Sequence, residues 1–297
     1  MKWNPFNTKI GLALGGGAAK GIAHIGVLKA FEEESVAISY ISGTSVGALV
    51  ASYYAFGKPI DQITAIGETL NLKSMVNFTF AKRGIFTTNA IRAMVHRDLG
   101  DVNIEDAHIP LAICTTDIET GEQVIFKKGD LAAAVCASMA VPGLFVPVEA
   151  AGRTLVDGGI IENVPISPLE PMGAGIVVGI DLNGVKAYSP PQDVLDVVSN
   201  AINIGMDLNT REQLKNADIK VPLDLSHYSR TNNAERVPEL ILEGYRPMKA
   251  KMKEIVRYQR TNTIHYLIKA FLELVPLKIP ELIKHATTKL SQLKRLR

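Results

Sequence analysis

Cysteine is scarce: two residues in a chain of 297 leave no disulfide framework to build a fold on. Cys114 and Cys136 lie in apolar surroundings without metal-ligand spacing, so both read as buried thiols of a reducing compartment. No cluster of carboxylates and histidines has ligand spacing either, and neither a metal nor a cofactor is expected. Charge of one sign is also missing, with a formal net of +2, which gives no reason to expect a nucleic-acid partner. Lys2 and Lys9 precede the apolar Ile10 to Leu14, but glycines follow at once, so a secretory leader is not read here. The one uncharged stretch long enough for a bilayer, the 23 residues from Ser35 to Gly57, is interrupted by serines, a threonine and a turn at Gly43. It reads as a buried strand followed by a buried helix. What the chain does have is 47% hydrophobic residues against 21% charged, the balance of a well-packed globular protein.

Short apolar runs alternate with helical patterns. Ile10 to Leu14, Ala37 to Ile41, Leu111 to Thr116, Gln123 to Phe126, Thr154 to Val156, Ile176 to Asp181 and Ile219 to Leu223 read as strands. Helices are expected over Ile22 to Glu34, Val46 to Phe56, Asp130 to Met139 and Asp193 to Gln213. Residues 58–100 look helical apart from a loop near Phe78 to Thr88, and Ala137 to Val148 reads as extended and proline-punctuated. The alternation predicts an α/β fold in three layers, a mostly parallel central sheet with helices on both faces.

Two glycine-rich turns follow the first two strands. Gly43-Thr44-Ser45-Val46-Gly47 is a G-x-S-x-G pentapeptide between a strand and a helix, the setting in which a sharp turn thrusts a serine hydroxyl forward. Ser45 is therefore the candidate nucleophile. Gly15-Gly16-Gly17-Ala18-Ala19-Lys20-Gly21 opens the preceding helix. It fails as a P-loop, because Lys20 stands between Ala19 and Gly21, and it fails as a dinucleotide fingerprint, because the sixth position counted from Gly15 is Lys20. A loop of bare N–H donors next to a serine elbow is how an oxyanion hole for acyl transfer is built.

A serine nucleophile needs a base, and the chain has six histidines. His24 sits on the helix after the glycine loop; His96, His108, His227, His265 and His285 stand in polar or helical contexts without a motif. Asp157 differs, ending a strand and preceding Gly158 and Gly159, so that another backbone could press against it. On its own it reads more readily as an ordinary D-G turn.

The four blocks Gly15 to Gly21, Gly43 to Gly47, Ala137-Ser138-Met139-Ala140-Val141-Pro142 and Asp157-Gly158-Gly159, in this order, resemble the patatin-like phospholipases. The resemblance runs from about Ile10 to Pro168. It implies a three-layer fold, hydrolysis of acyl esters in lipids, a catalytic dyad of Ser45 and Asp157, and an oxyanion hole formed by the N–H groups of Gly15, Gly16 and Gly17. The family often has arginine where Lys20 stands and D-G-A where this chain has D-G-G. Lysine keeps the charge but loses the planar fork, so Lys20 is a candidate headgroup or anion contact of altered preference. Phospholipid or lysophospholipid is the expected substrate. Two rivals stay open: a conventional α/β-hydrolase with a triad through His227, and a lipid-binding module without catalysis.

Charge is spread unevenly. Residues 246–297 hold 13 Lys/Arg against 3 Asp/Glu, while the rest of the chain holds 19 against 27. Within this basic region Ile264, Leu267, Ile268, Phe271, Leu272 and Val275 share one helical face, and after Pro280 Leu282, Ile283, Ala286, Leu290 and Leu293 form a second stripe. The division expected is a catalytic domain over 1–260 and a basic amphipathic helical extension over 261–297. That extension packs on protein, as on a second copy of the chain, or meets an anionic membrane surface. The location expected is the cytoplasm, with peripheral contact at the inner membrane surface.

Overall fold

The buried runs before Gly15 and Ser45 become adjacent parallel strands, each ending in a turn at the same edge of the main sheet. The computed structural model describes residues 8–69, 77–78, 83–185, 188, 190–231 and 233–274. Strands β1 (Ile10–Leu14) and β2 (Ile38–Thr44) are joined by a 3-10 turn over Ala18–Ile22 and helix α1 (Ala23–Glu33). Helices α2 (Val46–Ala55) and α3 (Ile60–Thr69) follow, then two-residue strands β3 (Asn77–Phe78) and β4 (Phe86–Thr87), which pair with each other within the expected loop. Next come α4 (Asn89–Leu99), β5 (Leu111–Asp117), β6 (Gln123–Phe126), α5 (Leu131–Ser138), β7 (Val148–Ala150) and β8 (Arg153–Asp157). Short helices α6 (Gly159–Glu162) and α7 (Leu169–Met172) lead to β9 (Ile176–Asp181), α8 (Val194–Gln213), β10 (Ile219–Pro222) and α9 (Val237–Leu274). Asp193 caps α8 and Asp130 caps α5, each accepting from the backbone N–H three residues on.

The main sheet runs in the order β10-β9-β1-β2-β5-β8-β7, with β6 also on β5. Its first five strands are parallel, and β6, β7 and β8 are antiparallel to their neighbours. The architecture is the expected mixed, mostly parallel sheet with helices on both sides. Central β1 and β2 are covered on both faces, which is why they are almost continuously apolar or small. On one face Ala13, Tyr40 and Val177 pack with Val164, Ile166, Leu169 and Leu214. The polar exceptions in β2 are satisfied on this face: Ser42 Oγ donates to the Pro165 carbonyl and Thr44 Oγ1 to that of Glu162. The Ala137–Val148 segment is not extended throughout, since α5 continues to Ser138 and only residues 148–150 are a strand.

The described residues divide into two units, Lys9–Val256 and a second made of Thr8 with residues 257–274. The boundary falls inside α9. Within the second unit Gln259 Nε2 donates to the Thr8 carbonyl. Helix α9 reaches Leu274, but the side chains of the expected apolar face over 264–275, and all of the second stripe over 282–293, lie outside the described residues. Among the described residues no helix is long and apolar enough to cross a membrane.

Candidate active site

Ser45 stands between the last residue of β2 and the first of α2, with φ 55° and ψ −127°. A left-handed φ on a residue with a Cβ is strain of the kind found at catalytic turns. The neighbouring glycines are required by close approach: a Cβ on Gly43 would lie 2.4 Å from the Ala48 Cα, and one on Gly47 2.1 Å from the Leu14 carbonyl oxygen. The turn is also pinned from outside. The Ser45 N–H donates to Ser138 Oγ (2.9 Å), and Ser138 Oγ donates to the Cys114 carbonyl on β5 (2.7 Å). Ser138 belongs to the third sequence block, whose geometric purpose was not evident from the sequence. The same block also anchors the fourth one, since the Asp157 N–H donates to the Ala140 carbonyl (3.0 Å).

Asp157 comes to Ser45 from a direction the sequence did not reveal. It ends β8, and β8 runs antiparallel to β5, so Asp157 is not at the carboxyl end of a parallel strand. The register explains how the two residues still meet. Thr44 pairs with Cys114 on one side of β5, and Asp157 pairs with Thr115 on the other. The carboxylate accepts from the Gly159 N–H at 2.8 Å, and the Ser45 hydroxyl beside it favours its charged form. Both residues are buried, at 8% and 5% exposure. Burial pushes the Asp157 carboxyl up from its ordinary value to about 6, against the two hydrogen bonds that favour its charged form.

No histidine bonds to either residue among the described residues. His24 is fully buried, and its Nε2–H donates to the Gly15 carbonyl (2.7 Å) while Nδ1 has no partner. Burial lowers its pKa to about 4, so the ring stays neutral. His96 faces Asp101, and His108 packs against Gly57. The backbone carbonyl of His227 accepts from Arg236.

The glycine loop is only partly free to donate. The Gly15 N–H donates to the Ile180 carbonyl (3.2 Å) and the Gly16 N–H to the Asn163 carbonyl (3.1 Å). Gly17 and Ala18, which open the 3-10 turn, keep N–H groups without an acceptor among the described residues. Ala18 holds φ 53°. A Cβ on Gly16 would lie 3.2 Å from the Ser45 Cβ, so the loop lies directly against the serine.

Lys20 is buried at 4% exposure, and no acceptor reaches its ammonium among the described residues. Desolvation, then repulsion from Arg230, lowers its pKa to about 8, opposed by Asp207 and Asp224. The Ala19 N–H donates to the Arg230 carbonyl (3.1 Å), and the guanidinium donates to Asn203 and Asn183. No group of three or more histidine, cysteine or carboxylate side chains able to hold a metal occurs among the described residues.

The family model described as Patatin-like phospholipase matches residues 12–170, more than half of the chain and all four blocks. The chain belongs to the patatin-like phospholipase family. It is 36% identical over 188 residues to an NTE family protein of Mycobacterium tuberculosis, an alignment covering 62% of this chain and 52% of that one. It is also 36% identical over 181 residues to patatin-like phospholipase domain-containing protein 6 of Homo sapiens, covering 58% of this chain and 13% of that protein. Lysophospholipase NTE1 of Yarrowia lipolytica is 31% identical over 189 residues, covering 61% and 13%. The chain thus spans about half the length of the mycobacterial relative and a small part of the others. Among solved structures, VipD from Legionella pneumophila is similar over 87% of this chain and 67% of its own, at 16% identity and a TM-score of 0.48.

Proposed function

We propose that this member of the patatin-like phospholipase family is a serine acyl hydrolase that cleaves ester bonds of phospholipids or lysophospholipids through a Ser45–Asp157 dyad. The observation that carries the reading is the strained Ser45 turn set beside Asp157, a buried carboxylate whose pKa burial raises to about 6 and whose charged form the Ser45 hydroxyl favours. Ser45 Oγ attacks the ester carbonyl carbon and gives its proton to Asp157. A carboxylate raised from 3.8 to about 6 is a better proton acceptor by about 3 kcal/mol. The developing oxyanion is received by the N–H groups of Gly17 and Ala18, because those of Gly15 and Gly16 already have acceptors. Asp157 then protonates the leaving alcohol, and the acyl-serine is hydrolysed by a water whose proton Asp157 takes. Lys20 supplies a charge for an anionic headgroup oxygen.

Labelling with a fluorophosphonate followed by peptide mass spectrometry tests this reading. The adduct is expected on Ser45 and absent in Ser45→Ala, and an adduct on another serine overturns it. A triad through His227 predicts loss of turnover in His227→Ala, which the dyad tolerates. A non-catalytic lipid-binding module predicts neither adduct nor turnover. We further infer that the basic region over 246–297 brings the enzyme to anionic membrane at the cytoplasmic face. Neutralising Lys284, Lys289, Lys294 and Arg295 to Gln should weaken binding to anionic vesicles and leave hydrolysis of a short soluble ester intact. A halved mass in light scattering with unchanged vesicle binding assigns the region to self-association instead.

A further inference from the structure

Asn163 takes no part in the steps above, yet it touches both the glycine loop and the Asp157 turn. It follows α6, six residues after Asp157, and is 1% exposed. It grips Gly16 at two points. Its backbone carbonyl accepts from the Gly16 N–H (3.1 Å), and its side-chain Nδ2 donates to the Gly16 carbonyl (3.4 Å). Its Oδ1 lies 2.7 Å from where a Cβ of Gly16 would stand and 3.0 Å from where one of Gly159 would. Gly159 in turn donates to Asp157, and Gly16 lies against Ser45. The amide is therefore a wedge between the glycine loop and the Asp157 turn, and both glycines leave it room.

The grip has a directional consequence. In a trans peptide the C=O and the following N–H point opposite ways. Turning the Gly16 carbonyl onto Asn163 turns the Gly17 N–H away from it, and that N–H is the first in the loop without an acceptor. Packing alone does not account for an amide here. Oδ1 is buried with no partner, a cost that an apolar side chain of the same size would not carry.

We propose that Asn163 is a positioning residue for acyl transfer: it locks the Gly16–Gly17 peptide so that the Gly17 N–H faces the oxyanion formed at Ser45. The proposal rests on reading Ser45 as the nucleophile. Asn163→Leu keeps the branching of the side chain, with somewhat bulkier ends, and removes the donor. With a short soluble ester, kcat should fall about 10²-fold, the scale of one lost oxyanion donor, with KM within about twofold and Tm unchanged or higher. If the leucine variant does not fold, Asn163→Ala carries the same kinetic expectation. Combining Asn163→Ala with Gly16→Ala should lose no more than Gly16→Ala alone, because both act through one peptide. Wild-type kcat in either folded variant overturns the proposal, as does a loss confined to KM or additive losses in the double variant. Ser45→Ala, measured alongside, separates the two levels. Hydrolysis that persists there overturns the nucleophile and with it the role of Asn163. Hydrolysis lost there but intact in Asn163→Leu overturns the role of Asn163 alone.

Discussion

The Asp157 turn and the first turn of α1 each bury a titratable side chain beside the glycine loop, and burial drives each toward its neutral form. The outcomes are opposite. An acid is raised by desolvation and a base is lowered, so Asp157 moves to about 6 and His24 to about 4. Asp157 ends with its pKa raised toward physiological pH, held by the Gly159 N–H with the serine hydroxyl beside it. His24 ends as a ring that is neutral above about pH 4, with its one N–H committed to the Gly15 carbonyl. A histidine is the usual base for a serine, but here the buried histidine next to the loop braces backbone, and the residue beside Ser45 is a buried carboxylate. Residue type set the expectation, and hydrogen-bond partner and burial set the role.

The sharpest way to break this comparison is to exchange the losses. Asp157→Asn should lower kcat by at least about 10³-fold, whereas His24→Gln, which keeps a donor for Gly15, should lose less than about tenfold. Equal losses in a soluble-ester assay would make His24 part of the proton path. Next in size is the pH profile. The rate constant kcat/KM should fall about tenfold per pH unit below about 6, where Asp157 becomes protonated, and this midpoint should survive in His24→Gln. A midpoint that moves with His24 would refute the assignment.

Stability against pH sharpens the same contrast. His24 has a folded pKa of about 4 against 6.5, so the unfolded chain binds its proton first and stability falls as pH drops from 6.5 toward 4, by up to about 3 kcal/mol. Asp157 has a folded pKa of about 6 against 3.8, so the folded state binds its proton first and stability rises as pH drops over nearly the same window, by a similar amount. In the wild type the two slopes oppose each other. Asp157→Asn removes one of them, and denaturant titrations of that variant should show a steeper loss of stability between pH 6.5 and 4 than the wild type shows. A parallel curve would mean that one of the two groups is not held as described. Smallest is the effect of Ser138→Ala. It frees the Ser45 N–H, and should cost about 1–2 kcal/mol of stability and less than about tenfold in kcat.

Much of the scaffold was legible because a buried parallel strand has to be a short apolar run. Ile176–Asp181 matches its expected bounds, and α8 begins one residue after the expected start at Asp193 and ends at the expected Gln213. The elbow was legible because it is local: strand, G-x-S-x-G and helix follow within a few residues, and the strain at Ser45 is a property of that turn. The direction of β8 was not legible, since a strand's own residues do not state which way its neighbour runs. The bracing of the site was hidden for the same reason. Ser138 lies 93 residues from the Ser45 it pins, and Asn163 lies 147 residues from the Gly16 it grips. The assignment of oxyanion donors to Gly15, Gly16 and Gly17 could not anticipate that two of the three N–H groups are taken by Ile180 and Asn163.

By itself the sequence determined which residues carry reactive groups and which turns are tight enough to present them, because glycine, serine and apolar spacing act over one turn of chain. Only the tertiary structure decided which N–H groups remain free, which carboxylate loses its water and which histidine does not meet the serine. Hydrogen-bond satisfaction and desolvation are set by whatever the fold brings within a few ångströms, and here those partners come from β5, β9, α5 and the end of α6.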